Sequence, residues 1–307
     1  MNQDRPVRIV VGSGYLGGRV AAAWTARGER VLGTTRSATR AESLAAVGVE
    51  PSILDVTTAD WSGVFGLHGL PTTIFWSVGF DRTAGPSYHD VQVTALARLL
   101  DSLAAETDSA PPCRIVFCSS TGVWGDEAGT VVDESTPVQP VREAGRALVA
   151  AEAVLRNHLA GPGVALRFAG LYGPGRLPRL DDLRAGRPIA ADPESWLNLI
   201  HVDDAARIVL AVADSPAPAP LYVVSDGHPI RRREWYTRLA ELAGSPAPVW
   251  DPAVVRSRGG DKRVNPARLF SDMRIELVHP NPLAWLTTYG AAWAASANPP
   301  APDSARR

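Results

Sequence analysis

The sequence predicts an α/β fold built on a doubly wound parallel sheet, and three observations carry that prediction. Short β-branched runs alternate with helix-like stretches through the first two thirds of the 307 residues, the pattern of a parallel sheet covered by helices on both faces. A glycine-rich turn, Gly12-Ser13-Gly14-Tyr15-Leu16-Gly17, falls directly between the first such run and the first such helix. The composition is that of an ordinary globular protein, with 45% hydrophobic residues and a formal net charge of −1.

In chain order, Val7 to Val11 reads as a buried strand and Leu16 to Arg27 as a helix stopped by Gly28. Arg30 to Thr34 is the second strand. Ala38 to Val47 is the second helix, closed by Gly48. Pro51 to Leu54 and Thr73 to Ser77 are the third and fourth strands. Tyr88 to Leu103 reads as one long amphipathic helix, with Val91, Ala95, Leu99 and Leu103 on one stripe. Arg114 to Cys118 is the fifth strand, Arg142 to Leu159 a helix, and Val164 to Phe168 the sixth strand.

The pattern loosens after Tyr172, where prolines gather at 216, 218, 220, 246 and 248. A helix (Asp203 to Asp214), a strand (Leu221 to Val224) and a second helix (Arg233 to Ala243) lie among them. The expectation is a Rossmann-type core over 1–172, with a small C-terminal substrate lobe over 173–295 interleaved with it. The Pro/Ala/Ser-rich tail 296–307 is expected to be disordered.

Lys plus Arg number 31 and Asp plus Glu 32, so no net field draws in DNA or RNA, and a nucleic-acid partner is not expected. No apolar run reaches membrane-spanning length, and none near the N-terminus makes a signal-peptide core. Cys113 and Cys118 have no zinc-ligand company and read as free thiols in a reducing compartment. A cytoplasmic protein without a resident metal is the expectation.

The glycine turn carries the first chemical reading. Gly12 permits the tight turn, Gly14 lets the backbone approach a pyrophosphate, and Gly17 lets helix pack close to strand. The helix N-terminus adds N–H groups and a positive dipole for the phosphates. Gly12, Ser13, Gly14, Tyr15, Leu16 and Gly17 are therefore cofactor-binding candidates, with Ser77 at the end of the fourth strand. An NAD site usually places an acid at the end of the second strand. Here the segment is Gly33-Thr34-Thr35-Arg36-Ser37. Arg36 suits a 2′-phosphate, with Thr35 and Ser37 as hydroxyl donors. The reading favours NADP, with NAD as the alternative. Asp55, after the third strand, either contacts the adenine or caps its own turn.

These features resemble the extended short-chain dehydrogenase/reductase family, the NAD-dependent epimerase/dehydratase group. The likeness is carried by Cys118-Ser119-Ser120-Thr121-Gly122-Val123-Trp124-Gly125, by Asp133-Glu134-Ser135-Thr136-Pro137, and by the run Leu166 to Arg176. Ile200-His201-Val202-Asp203-Asp204 and Gly260-Asp261-Lys262-Arg263-Val264 add to it, in the family's order. The resemblance implies a catalytic serine at Ser120, with Thr121 beside it, an unidentified small-molecule substrate, and a possible homodimer through the two long helices. It also implies a Tyr-x-x-x-Lys pair, which is missing. Gly145 and Glu152 fix the register, and Ala144 and Leu148 stand where tyrosine and lysine belong. Val11 likewise replaces the first glycine of the usual Gly-x-x-Gly-x-x-Gly. Both departures are similar to an atypical, YeeZ-like branch of the family.

Tyr88, His89, Tyr172 and His201 are the remaining candidates for a proton donor, each with a structural alternative. His201 with Asp203 and Asp204 is read as a structural segment. Arg142, Glu143 and Arg146 read as a solvated helix face, and Arg231-Arg232-Arg233 as surface. Trp76, Trp124 and Trp196 line a cleft or pack the core. Two functions stand: an NADP-dependent oxidoreductase or epimerase-like enzyme, and a non-catalytic NADP-binding sensor.

Overall fold

The computed structural model describes residues 7–61, 72–105, 113–158, 163–251 and 260–290. The predicted tail 296–307 and the last residue of the helix expected to reach Leu159 lie outside the described residues.

The chain begins β1 (Val7–Val11), α1 (Gly17–Ala26), β2 (Arg30–Thr35), α2 (Ala38–Ala45), β3 (Glu50–Ile53) and β4 (Thr72–Trp76). A wide π turn (Asp90–Thr94) runs into α3 (Ala95–Ala105). Then come β5 (Arg114–Ser120), β6 (Val131–Val132), α4 (Glu143–Asn157), β7 (Gly163–Phe168) and β8 (Gly170–Tyr172). The second half holds α5 (Leu180–Arg184), β9 (Trp196–Leu197), β10 (Leu199–His201), α6 (Val202–Asp214) and β11 (Leu221–Val224). It ends with β12 (Ile230–Arg231), α7 (Arg232–Leu242), β13 (Arg263–Val264), α8 (Ala267–Met273) and α9 (Pro282–Trp285).

The main sheet has seven strands in the order β11-β7-β5-β4-β1-β2-β3, and every pairing in it is parallel. Leu221–Val224, read from sequence among the loosely ordered proline-rich segments, is its edge strand beside β7. The strand order reverses between β1 and β4, and a crevice opens at the strand ends there. Residues alternate along each strand. Val10, Phe75 and Val116 face α1 and α6, whereas Ile9, Ile74 and Ile115 face α3 and α4. The expected doubly wound Rossmann-type fold is the one observed.

The helix expected over Tyr88 to Leu103 does not start as an α-helix. Gln92 is buried at its first turn, accepting from the Trp76 indole (3.3 Å) and donating to the Val78 carbonyl (2.8 Å). The widened turn, closed by an N–H of Ala95 to the carbonyl of Asp90, accommodates that inward amide. Hydrophobic periodicity carries no sign of it.

A buried ion pair fixes α4 to the sheet. Glu152 accepts from Arg167 Nε (3.0 Å) and Nη2 (2.7 Å) and from the Ser119 hydroxyl (2.6 Å). All three residues are buried, and the guanidinium lies 4.8 Å from the centroid of the Trp124 ring. Asp204 plays a comparable part in the second half. Fully buried, it accepts the N–H groups of Val278 and His279, each at 2.8 Å, and so ties that segment to α6. A separate apolar cluster of Tyr172, Leu180, Trp235, Leu239 and Trp285 forms the core of the small lobe.

Removing one partner of a buried pair strands the other charge. Glu152→Ala is expected to cost about 3–5 kcal/mol in denaturant unfolding, and Glu152→Leu with Arg167→Met less than either single change. A second effect follows from Asp226, a buried carboxyl pushed up to about 8 by desolvation. The unfolded chain loses this proton near pH 4 (an ordinary aspartate, about 3.9), but the folded chain keeps it until about 8. The folded state therefore binds the extra proton across that window, and stability falls as pH rises through it. Asp226→Asn, which keeps the Oδ1 acceptor of the His228 N–H, should flatten that fall in the denaturation midpoint.

Candidate functional site

The turn after β1 is held by close backbone contacts. Gly12 adopts φ +89°, and a Cβ there would lie 2.7 Å from the Ser77 carbonyl oxygen and 2.8 Å from Val78 Cα. Its N–H donates to Thr34 Oγ1 (2.9 Å) and the Ser13 N–H to the Thr34 carbonyl (2.8 Å), so the turn is sewn to β2. At Gly17 a Cβ would run into the Gly12 carbonyl, which brings α1 down onto the strand. Gly14 differs: nothing lies within 4 Å of its missing Cβ. No side chain caps α1 and no acid occupies its first turn. Positive partial charge therefore stays at its N-terminus.

A cavity of about 410 Å³ opens at this point, bounded by the ends of β1, β2, β3 and β4. Of the predicted cofactor residues, Gly12, Ser13, Gly14 and Ser77 line one part of it, and Thr35, Arg36, Ser37 and Asp55 another. Tyr15, Leu16 and Gly17 do not line it. Leu16 is buried in the core, and the Tyr15 hydroxyl donates to the Pro174 carbonyl (3.1 Å) while Arg19 stacks on its ring. The backbone of the turn, and not these side chains, faces the space. The open side of Gly14 and the bare helix end fit a pyrophosphate. Sequence reasoning missed Thr34, Arg40 and Asp81, which also line the cavity. A Ser/Thr at the end of β2 and an arginine on the first turn of α2 are signals that could have found the first two.

Each polar group at the β2 end has a partner. Thr35 Oγ1 accepts the Ser37 N–H (3.1 Å), and Ser37 Oγ accepts the Arg40 N–H (3.2 Å) as the N-cap of α2. A hydroxyl that accepts in this way keeps its own proton to donate. Arg36 reaches Asp81 Oδ2 at 3.1 Å and Asp55 Oδ2 at 3.9 Å. Asp55 Oδ1 accepts the N–H (2.8 Å) and O–H (2.6 Å) of Thr57, so it does cap its own turn while lining the cavity. Burial raises the pKa of Asp55, but the Thr57 bonds and the Arg36 charge outweigh that and leave it below the usual range.

The predicted catalytic residues sit elsewhere. Ser120 ends β5, and its Oγ accepts the Gly122 N–H (3.1 Å), capping the single 3₁₀ turn Thr121–Val123. Neither Ser120 nor Thr121 lines the cavity. Gly145 of α4 packs on that turn, since a Cβ there would lie 2.6 Å from the Gly122 carbonyl. This contact fixes the helix register beside Ser120. Ala144 is half-buried on its first turn, and Leu148 packs into the core. Neither side chain can move a proton.

The other candidates are occupied structurally. Tyr172 is fully buried against Trp235, Trp285 and His201, and burial pushes its hydroxyl far above the usual range. His201 is 1% exposed, and burial lowers it to about 4, so the ring is neutral. Its Nδ1 accepts the Asp203 N–H (3.2 Å), capping α6. His201, Asp203 and His279 bring potential ligand atoms within 4.8 Å of one another. Asp203, however, pairs with Arg19 (3.0 Å), and the cap bond holds His201. Tyr88 stacks on Phe80 with ring centroids 3.5 Å apart, and His89 is exposed. Arg142, Glu143 and Arg146 are exposed as expected. Arg232 is not on the surface as the sequence suggested: it is buried, donating to Ser195 Oγ at 2.8 Å. The first helical turn of α7 aims it inward, while Arg231 covers Trp196 (3.6 Å) and Arg233 pairs with Glu194. Trp76 and Trp124 are core residues. Cys113 and Cys118 are free thiols, each pushed up to about 12 by burial. Among the described residues no helix is long and apolar enough to cross a membrane.

Comparison with known proteins agrees with this geometry. Residues 9–224 match the NAD dependent epimerase/dehydratase family. Protein YeeZ of Escherichia coli K12 is 31% identical over 282 residues, covering 89% of this chain and 96% of that protein. A dTDP-6-deoxy-L-talose 4-dehydrogenase (NAD(P)(+)) of Kitasatospora kifunensis is 28% identical over 80% of this chain and 81% of its own. The solved structure of a functionally unknown conserved protein from Silicibacter pomeroyi superposes with a TM-score of 0.73 at 28% identity, covering 94% of this chain and 98% of that one.

The two glycines should separate binding from folding. Gly14→Ala has room for its methyl and should leave the melting temperature within about 2 °C while weakening dinucleotide binding about tenfold or more. Gly12→Ala meets backbone at a positive φ and should lower both. Calorimetry and cofactor titration on the two variants make the comparison.

Proposed function

The chain belongs to the NAD dependent epimerase/dehydratase family, and we propose that it is an NADP-dependent oxidoreductase or epimerase-like enzyme that works without the family's tyrosine–lysine pair. The observation that carries the cofactor reading is the shared cavity into which Gly14 opens at one part and Arg36 and Arg40 at another. Gly14 and the uncapped α1 would hold the pyrophosphate. Arg36, with the Thr35 and Ser37 hydroxyls, would hold a 2′-phosphate where an NAD-selective site would carry an acid. The talose dehydrogenase relative is named for NAD(P)(+), either cofactor, which is compatible with NADP here.

When bound, the nicotinamide supplies hydride exchange with a carbonyl or alcohol carbon. Ser120 would donate its hydroxyl to the substrate oxygen and orient it. Ala144 supplies no proton, and the half-buried first turn of α4 leaves water as the proton source. The substrate is a small molecule whose lobe contacts come from the second half of the chain. The two free thiols suit a cytoplasmic, reducing setting. A second reading, a cofactor-binding sensor without turnover, is favoured by one observation: Ala144 and Leu148 have removed the proton chemistry from α4.

The test is NADPH oxidation, followed by absorbance, against a panel of carbonyl and nucleotide-sugar substrates. Turnover is expected, with Ser120→Ala lowering it about 100-fold or more. Binding without any turnover decides for the sensor. Activity unchanged in Ser120→Ala removes Ser120 from the site.

A further inference from the structure

Two copies of one small device grip Arg36. Asp55-Val56-Thr57 follows β3 and Asp81-Arg82-Thr83 lies on the loop after β4. In each, the aspartate Oδ1 accepts both the N–H and the O–H of the threonine two residues on, at 2.8 and 2.6 Å for Asp55 and 2.9 and 2.7 Å for Asp81. That turn aims the second oxygen, Oδ2, at Arg36 from each side, at 3.9 Å and 3.1 Å. All three residues line the same cavity. The end of β2 holds no acid, yet two acids reach its arginine from β3 and from the β4 loop.

This arrangement sets up a competition. A phosphate and a carboxylate compete for the same guanidinium N–H groups. A 2′-phosphate arriving at Arg36 meets the Asp81 carboxylate already there and is repelled by it. The hydroxyl of an unphosphorylated ribose carries no charge and can donate to the same oxygen. The Thr83 bonds, and then Arg36 itself, keep Asp81 below the ordinary carboxylate range, so it is ionised at neutral pH. Asp81 makes the shorter of the two contacts and the only one of the two at hydrogen-bond length.

We propose that Asp81 is a specificity-determining residue of the cofactor site: by holding Arg36 it weakens the preference for the 2′-phosphorylated cofactor and keeps the unphosphorylated form acceptable. This rests on the assignment of Arg36 to the 2′-phosphate made above. The second Asp-x-Thr turn, at Asp55, supports Arg36 from the other side at longer range.

Asp81→Asn probes this, because the amide oxygen still accepts from Thr83 while the negative charge facing Arg36 is removed. NADPH and NADH are titrated into the full-length wild type, Asp81→Asn, Arg36→Ala and the double variant. Asp81→Asn should tighten NADPH about 3- to 10-fold and leave NADH unchanged or weaker, because the amide nitrogen in place of Oδ2 no longer accepts from a ribose hydroxyl. In the Arg36→Ala background the Asp81 change should tighten NADPH clearly less than in the wild type, since the competition for the guanidinium is gone and only the direct repulsion between carboxylate and phosphate remains. An Asp81→Asn variant with unchanged NADPH affinity, with an equal shift for NADH, or with its effect intact in Arg36→Ala overturns the proposal. If Arg36→Ala weakens NADPH and Asp81→Asn does nothing, the role of Asp81 fails and the NADP assignment stands. If Arg36→Ala leaves NADPH unchanged, the NADP assignment fails and the role of Asp81 falls with it.

Discussion

Gly12 lies so close to the main chain of Ser77 and Val78 that no side chain fits between them. The rest of the site depends on this contact. It joins the end of β1 to the end of β4 at the place where the strand order reverses. Thr34 adds the third edge by accepting the Gly12 N–H and the Ser13 N–H. With three strand ends fixed to one another, the residues just beyond them converge. Arg36 comes from β2, Asp55 from β3, and Asp81 from the loop after β4, around one cavity. The bare N-terminus of α1 stands beside it.

The helix that packs on the turn after β5 is held by buried polar contacts. Glu152, Arg167 and Ser119 still lock α4 to β5 and β7 through a fully buried network. Gly145 still fits against the Gly122 carbonyl. These contacts position a helix whose first two turns carry Ala144 and Leu148. A buried pair of this kind resists change, because losing one partner leaves an uncompensated charge in a low-dielectric interior. The helix is therefore held in register by its buried partners, whatever side chains its first two turns carry.

Several polar residues that look catalytic in a sequence are instead architectural here. His201 caps α6, Asp204 holds Val278 and His279, and Tyr172 is walled in by tryptophans. Burial lowers His201 and raises Tyr172, in each case favouring the neutral form. That fits groups that complete a packed lobe and does not fit groups poised to exchange protons with a substrate in the cleft.

Much of the fold follows local rules and can be read along the chain. Alternating apolar runs marked the strands, glycines marked the helix stops, and the glycine turn announced itself by its place between β1 and α1. The missing acid after β2 and the absent tyrosine and lysine were equally legible, because each is a statement about one position in a known register. The tertiary structure decided which distant groups meet. Leu221–Val224 was legible as a strand, but its place at the edge of the main sheet beside β7 was not. The π turn formed because Gln92 found partners at Trp76 and Val78. Arg232 left the surface because Ser195 lay beneath it. Arg36 was visible as a cation, but its clamp was not, since Asp81 lies 45 residues away in the chain. Periodicity and spacing report what a segment does with its own neighbours, whereas ion pairs and cavities are set by which strand ends the fold brings side by side.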